Sequence, residues 1–214
     1  MKRLLILCTL GLMAWLPSAN AATMDEEIAE LQKQWAVIKY QTPDKAKQKK
    51  AIAELADKAA VVTNENQGKA EAIIWQAIIV STKAGIDSGL GALGNAKKAR
   101  DLLLEAEKIN PQVLNGSVYT SLGSLYYKVP GWPIGFGNND KARQYLEKAL
   151  DLNPDGIDSN FFYGEFLYEN GEYAKAKSVL EHGLSAPARE GRELADKGRK
   201  EEIQDLLTKV NKKL

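Results

Sequence analysis

The chain of 214 residues carries few side chains suited to covalent chemistry. Its only cysteine is Cys8 and its only histidine is His182. Zinc sites built on histidine or cysteine clusters are thereby excluded, because such a site draws three or four ligands together. A general base must sit within hydrogen-bond reach of the proton it takes. His182 stands next to Glu181 on the outer, solvated face of an expected helix, with no nucleophile placed near it. The acidic pairs Glu26/Glu27 and Glu201/Glu202 read as ordinary helix charges.

Three short patterns imitate ligand motifs. Gly89-Leu-Gly91-Ala-Leu-Gly94 spells G-x-G-x-x-G, but a dinucleotide site needs a strand before it and a βαβ unit around it. Helical sequence flanks it here, and a flexible turn is expected. Asp151-Leu-Asn153-Pro-Asp155-Gly156 imitates half a calcium loop, yet the position that should supply the bidentate glutamate is Phe162. Asp158 or Ser159 is expected instead to cap the following helix. Asn115-Gly116-Ser117 has the letters of a glycosylation sequon, which lose most of their meaning behind a bacterial-type signal. No catalytic, cofactor-binding or metal-binding residue is assigned, and the chain reads as a binding protein, not an enzyme.

Residues 1–21 have the layout of a cleaved export signal. Lys2 and Arg3 precede the apolar run Leu4 to Leu16, and Ala19 and Ala21 take the cleavage-setting positions. The run is too short for a good membrane-spanning helix. Leu5-Ile-Leu-Cys8 has the leucine spacing of a lipoprotein signal, but Leu7 is too large for the usual small residue. Cleavage near Ala21 and a soluble product in the periplasm are expected. The remaining domain, 22–214, has one net negative charge and no cysteine. That balance argues against nucleic acid, which calls for a basic excess or stripe.

The elements that position the remaining candidates form repeats. Asp140-Lys-Ala142-Arg-Gln-Tyr-Leu146-Glu-Lys-Ala149-Leu150 superposes on Ala174-Lys-Ala176-Lys-Ser-Val-Leu180-Glu-His-Gly183-Leu184 at an offset of 34, the tetratricopeptide-repeat (TPR) period. Tyr119-x-x-Leu122-Gly123-x-x-Tyr126 and Asn160-x-x-Tyr163-Gly164-x-x-Leu167 precede them as first helices. Glycine at 123 and 164, and alanine at 142 and 176, let paired helices approach closely. Pro154 and Pro187 end the repeats, since proline lacks an N–H and disfavours helix at the residue before it.

A third copy runs from Ala70 to Pro111, with Ala77 in the small position and a glycine-rich enlarged turn over 84–93. A degenerate fourth opens the domain with a helix over 25–40, its apolar stripe made by Ile28, Leu31, Trp35 and Ile38, and a second helix after Pro43. The tail over 192–213 carries Leu194, Ile203, Leu206, Leu207 and Val210 among charges, as a solenoid's terminal cap should, with Gly198 weakening it locally. The fold class is all-α: a TPR-like superhelix of about four helical hairpins plus a C-terminal capping helix, roughly nine helices in one domain.

Between Tyr127 and Asp140 the turn is enlarged to Lys-Val-Pro-Gly-Trp132-Pro-Ile-Gly-Phe136-Gly-Asn-Asn. Its prolines and glycines enforce a tightly turning loop. Trp132, Ile134 and Phe136 fold back as a plug, contributing about 1.5–3 kcal/mol each if buried, or else form a binding lip. Both hold if one ring faces inward and another outward. The run from Tyr119 to Ala142, followed by Leu152-Asn-Pro-Asp-Gly-Ile-Asp158, resembles a family of exported proteobacterial TPR proteins. That family is similar to the T component of TRAP transporters, the tripartite ATP-independent periplasmic carriers of organic acids. The resemblance implies an all-helical protein that binds a hydrophobic ligand or a partner solute-binding protein, and it brings no catalytic residues.

A TPR solenoid lines its concave face with the first helix of each hairpin. Ile74, Ile78 and Ser81, then Thr120, Ser124, Tyr127 and Lys128, then Phe161, Glu165, Tyr168 and Glu169 are expected there. Packing of Ile74, Ile78 and Phe161 between hairpins is the alternative. The set lacks the paired lysines and arginines of a carboxylate clamp. Candidate binding residues are Tyr127, Lys128, Trp132, Phe136, Phe161, Glu165 and Tyr168. The expected function is a periplasmic scaffold that binds a protein or peptide on this aromatic concave face. The alternative is a T-component-like subunit that holds an apolar or organic small ligand in an internal channel.

Overall fold

The computed structural model of the protein describes residues 22–87 and 89–214. The export signal and Cys8 lie outside the described residues. The described helices are α1 (Met24–Gln41), α2 (Lys45–Glu65), α3 (Ala70–Ile86), α4 (Gly89–Ile109), α5 (Val113–Lys128), α6 (Asn139–Leu152), α7 (Ile157–Glu169), α8 (Tyr173–Leu184) and α9 (Glu193–Asn211). Consecutive helices pair as hairpins α1/α2, α3/α4, α5/α6 and α7/α8, and α9 packs on α7 and α8. The architecture is all-helical and TPR-like, as the repeat spacing predicts.

Local chemistry sets the helix starts. Thr23 and Glu26 form a reciprocal capping box at α1. The carboxylate of Asp44 accepts from Lys47 N at 2.8 Å to cap α2, and Asn138 accepts from Lys141 N at 2.9 Å to cap α6. Each such cap satisfies an N–H that the first helical turn leaves free.

The small residues work at the helix crossings. A β-carbon on Gly123 would lie 2.6 Å from Cγ of Leu146, and one on Gly164 would lie 2.6 Å from Cγ of Leu180. Real β-carbons do not come so close, so glycine is what allows α5 onto α6 and α7 onto α8. Ala77, Ala142 and Ala176 are wholly buried beside them. Leu103, Leu122, Leu146, Leu167, Leu180 and Ile203 fill the core between the repeats.

Several expectations need correction. Most of 84–93 is helical: α3 runs to Ile86 and α4 starts at Gly89, so Gly91 and Gly94 lie inside a helix rather than in a loose turn. Neither Asp158 nor Ser159 caps α7. Its N-cap is Gly156 without a side-chain bond, Ser159 donates to the Asn153 and Gly156 carbonyls, and Asp158 is taken by arginines. His182 is exposed, as expected, and its Nε2 lies 2.9 Å from Oδ1 of Asp155, which is exposed as well. The start of α5 is broken: Leu114, Asn115 and Gly116 all have left-handed φ, between 52° and 71°. Such a turn costs roughly 1–2 kcal/mol at each residue that carries a β-carbon.

Candidate functional site

The first helices of the repeats form a ring. α1 packs on α3, α3 on α5, α5 on α7, α7 on α9, and α9 returns to α1. The last contact makes α9 more than a cap. The ring of Tyr40 lies against Gly198, where a β-carbon would be 2.5 Å from its Cε1 and Cγ. Gly198, expected as a weak point of the tail helix, is therefore the crossing point of α1 and α9. Tyr40 also donates to Glu202 at 3.2 Å and packs edge-on to Trp35 with centroids 6.0 Å apart.

A charged network secures the same junction. Arg199, only 3% exposed, donates to Asp158 at 2.8 Å and to Glu202 at 2.6 Å. Lys39 reaches Glu202 at 2.8 Å. Arg189 bridges Asp158 at 2.8 Å and Asp196 at 2.7 Å. The Arg199 guanidinium also lies over Phe161, 4.3 Å from its centroid. Burial pushes the Asp158 carboxyl up, but Arg199 and Arg189 outweigh it and hold the group well below the usual carboxylate range. Glu202 shows the same contest: burial raises it, and Arg199 and Lys39 bring it below its ordinary value. Burial, with Arg199 second, lowers Lys39.

Inside the ring is a cavity of about 600 Å³, within the size range of small-molecule sites. Trp35, Trp75, Ile78, Leu114 and Phe162 supply apolar wall. Ser81, Thr120, Ser121 and Ser124 supply hydroxyls, and Lys39, Lys128, Arg189, Arg192 and Arg199 supply cations. Trp35 and Trp75 meet edge to face with centroids 6.2 Å apart. The indole N–H of Trp35 donates to Thr82 at 2.8 Å, which fixes its ring. The left-handed residues Leu114 and Asn115 also face the cavity, so the backbone strain of α5 sits at this site.

Of the seven candidate binding residues, Lys128 lines this cavity. Lys128 pairs with Glu165 at 2.7 Å, and the Tyr127 hydroxyl donates to the same carboxylate. Burial and Glu165 together push the Tyr127 hydroxyl well above its usual pKa. Phe161 is buried in the core, and Tyr168 packs against Tyr173. Phe136 turns inward, edge-on to Tyr126 with Arg100 over its face. Trp132 is 90% exposed and Ile134 68% exposed, so the expected plug is made by Phe136 alone. The loop closes on itself through Gly137 N to Pro130 O and Gly135 N to Gly131 O, each 3.0 Å. A β-carbon at Gly135 would fall 2.9 Å from Cγ1 of Val129, so the glycines set its path.

Ile78, Ser81, Thr120 and Ser124 take the expected concave positions, whereas Ile74 is fully buried between hairpins. Lys39 and Lys128 come from first helices, but the arginines of the wall come from elsewhere. Arg189, Arg192 and Arg199 lie in the α8–α9 connection and in α9, outside the hairpins whose first helices define the concave face. The repeat grammar carries no signal for them. The signal present in the sequence is an arginine at three points of one terminal segment, with Arg192 and Arg199 spaced to fall on the same helical stripe as the buried Ile203 and Val210.

The repeat profile and the first of the solved structures below agree with the fold. A tetratricopeptide-repeat profile matches residues 134–209. The crystal structure of a thermophilic TPR protein from Thermus thermophilus superposes with a TM-score of 0.56 at 15% identity, over 85% of this chain and 92% of that one. MamA of AMB-1 gives a TM-score of 0.49 at 17% identity over 89% and 96%. PilF of Pseudomonas aeruginosa gives 0.38 at 19% identity over 87% and 90%. No curated protein matches the sequence significantly. The protein has a TPR fold.

Proposed function

We propose that this chain is an exported TPR-fold adaptor that holds a small organic molecule in its ring cavity and performs no chemistry on it. The fold itself is one that serves protein–protein contact. The observation that favours a ligand over a peptide in an open groove is the return of α9 to α1 at Tyr40 and Gly198, which surrounds the concave face. In this reading the chain works in the periplasm, as its amino-terminal signal suggests. It acts beside a carrier of the TRAP class, as the resemblance of residues 119–142 suggests.

The test is to purify the chain from the periplasm of its host, extract it with organic solvent and identify what is released. A small compound should accompany the wild type in near-stoichiometric amount and be missing from Ser124→Phe, which fills the cavity. The same trace background in both would overturn the ligand reading. Protein contact is the second reading, favoured by the outward Trp132 and Ile134. It predicts a partner that Trp132→Ala loses while the small compound stays bound.

A further inference from the structure

The ring junction leaves one positive charge over. Lys39, Arg189, Arg192 and Arg199 face the carboxylates of Asp158, Asp196 and Glu202. Those carboxylates are already engaged: Asp158 by Arg189 and Arg199, Asp196 by Arg189, and Glu202 by Arg199 and Lys39. Arg192 is the cation without such a bond. Among the described residues its Nε is sealed from water and has no hydrogen-bond partner. Its guanidinium lies 5.0 Å from the Trp75 ring centroid, on the cavity wall.

We propose that the cavity takes an organic anion with a flat apolar body, its acidic group held by Arg192 and its body against Trp75 and Trp35. This rests on the ligand reading above and specifies the ligand class. A guanidinium lying over an indole can still offer its terminal Nη groups, in a fork, to a carboxylate or sulfonate. Arginine stays charged at any physiological pH, so it cannot escape its burial by losing a proton. Burial and the neighbouring Arg189 both disfavour that charge. The opposite charge of an arriving anion offsets both. The tryptophan walls then select against small inorganic anions, which have no surface to lay on them.

A matched probe pair tests this: anilinonaphthalene sulfonate, and phenylnaphthylamine, which is the same skeleton without the acid. Both are titrated by fluorescence into the wild type and into Arg192→Gln, with thermal melts run alongside. The wild type should bind the sulfonate about tenfold to a hundredfold more tightly than the neutral probe. Arg192→Gln should remove that preference and leave the neutral probe's affinity within about twofold, which also reports an intact cavity. In the wild type, added salt should weaken the sulfonate selectively. Equal affinity for the two probes, unmoved by salt or by Arg192→Gln, would overturn the anion assignment and leave the ligand reading standing. Failure of both probes to bind the wild type would overturn the ligand reading itself. Displacement of the sulfonate probe by equimolar inorganic sulfate would overturn the flat-body requirement.

Discussion

Tyr40 and Gly198 meet so closely that no side chain fits between the tyrosine ring and the backbone of α9. They are distant in sequence, yet their contact turns a row of hairpins into a ring. Gly198→Ala should therefore destabilise the fold by about 1–3 kcal/mol through overpacking, although alanine is the better helix former by about 1 kcal/mol. In a Tyr40→Ala background the same change should become neutral or stabilising. Urea unfolding of the two single variants and the double variant measures this coupling. A Gly198→Ala variant more stable than wild type would separate α1 from α9.

The enlarged loop divides its labour between two aromatic rings. Trp132 is almost fully solvated, so Trp132→Ala should change stability by less than about 0.5 kcal/mol. Phe136 packs on Tyr126 beneath Arg100, and Phe136→Ala should cost up to about 3 kcal/mol. Thermal or urea melts of both variants decide the point, and a large loss for Trp132→Ala would mean that its ring is buried.

The repeats themselves were legible in the chain. Ala142 and Ala176 stand 34 residues apart, and Gly123 and Gly164 stand 41 apart across the enlarged turn, because each solves the same local problem of helix approach. The ring was not legible. Tyr40 and Glu202 are 162 positions apart, and no periodicity links them. Gly198 looks like a defect in its own helix, and only the ring of Tyr40 explains it. Arg192 looks like a boundary charge until Trp75 is placed beneath it. The loop's backbone could be read from its prolines and glycines, but the directions of Trp132 and Phe136 depend on neighbours from other helices, such as Tyr126 and Arg100.

Acid should open the junction of α9 with α1 and α7. Asp158 and Glu202 have folded pKa values below their unfolded ones, which are about 3.9 for Asp and 4.3 for Glu. Their stabilising contribution is thus fully present above the unfolded values and is lost as pH falls through the folded ones. Stability of the wild type should be level from neutral pH to about pH 5 and decline below about pH 4. Asp158→Asn leaves the buried Arg199 short of a counter-charge and should cost about 3 kcal/mol at neutral pH. That deficit should shrink in acid, where the wild type loses the same charge. Denaturant midpoints across the pH series supply the comparison, and a deficit that stays constant into acid would contradict the assignment of Asp158.

The most direct test of the ring cavity uses its own tryptophans. A chain with Trp15→Phe and Trp132→Phe keeps only Trp35 and Trp75, both in the cavity wall. Titration with anilinonaphthalene sulfonate should quench this emission to saturation, with energy transfer to the probe, and Ser124→Phe in the same background should abolish the effect. Tryptophan emission that stays constant while the probe binds elsewhere, or identical quenching after Ser124→Phe, would contradict a ligand site at the centre of the ring.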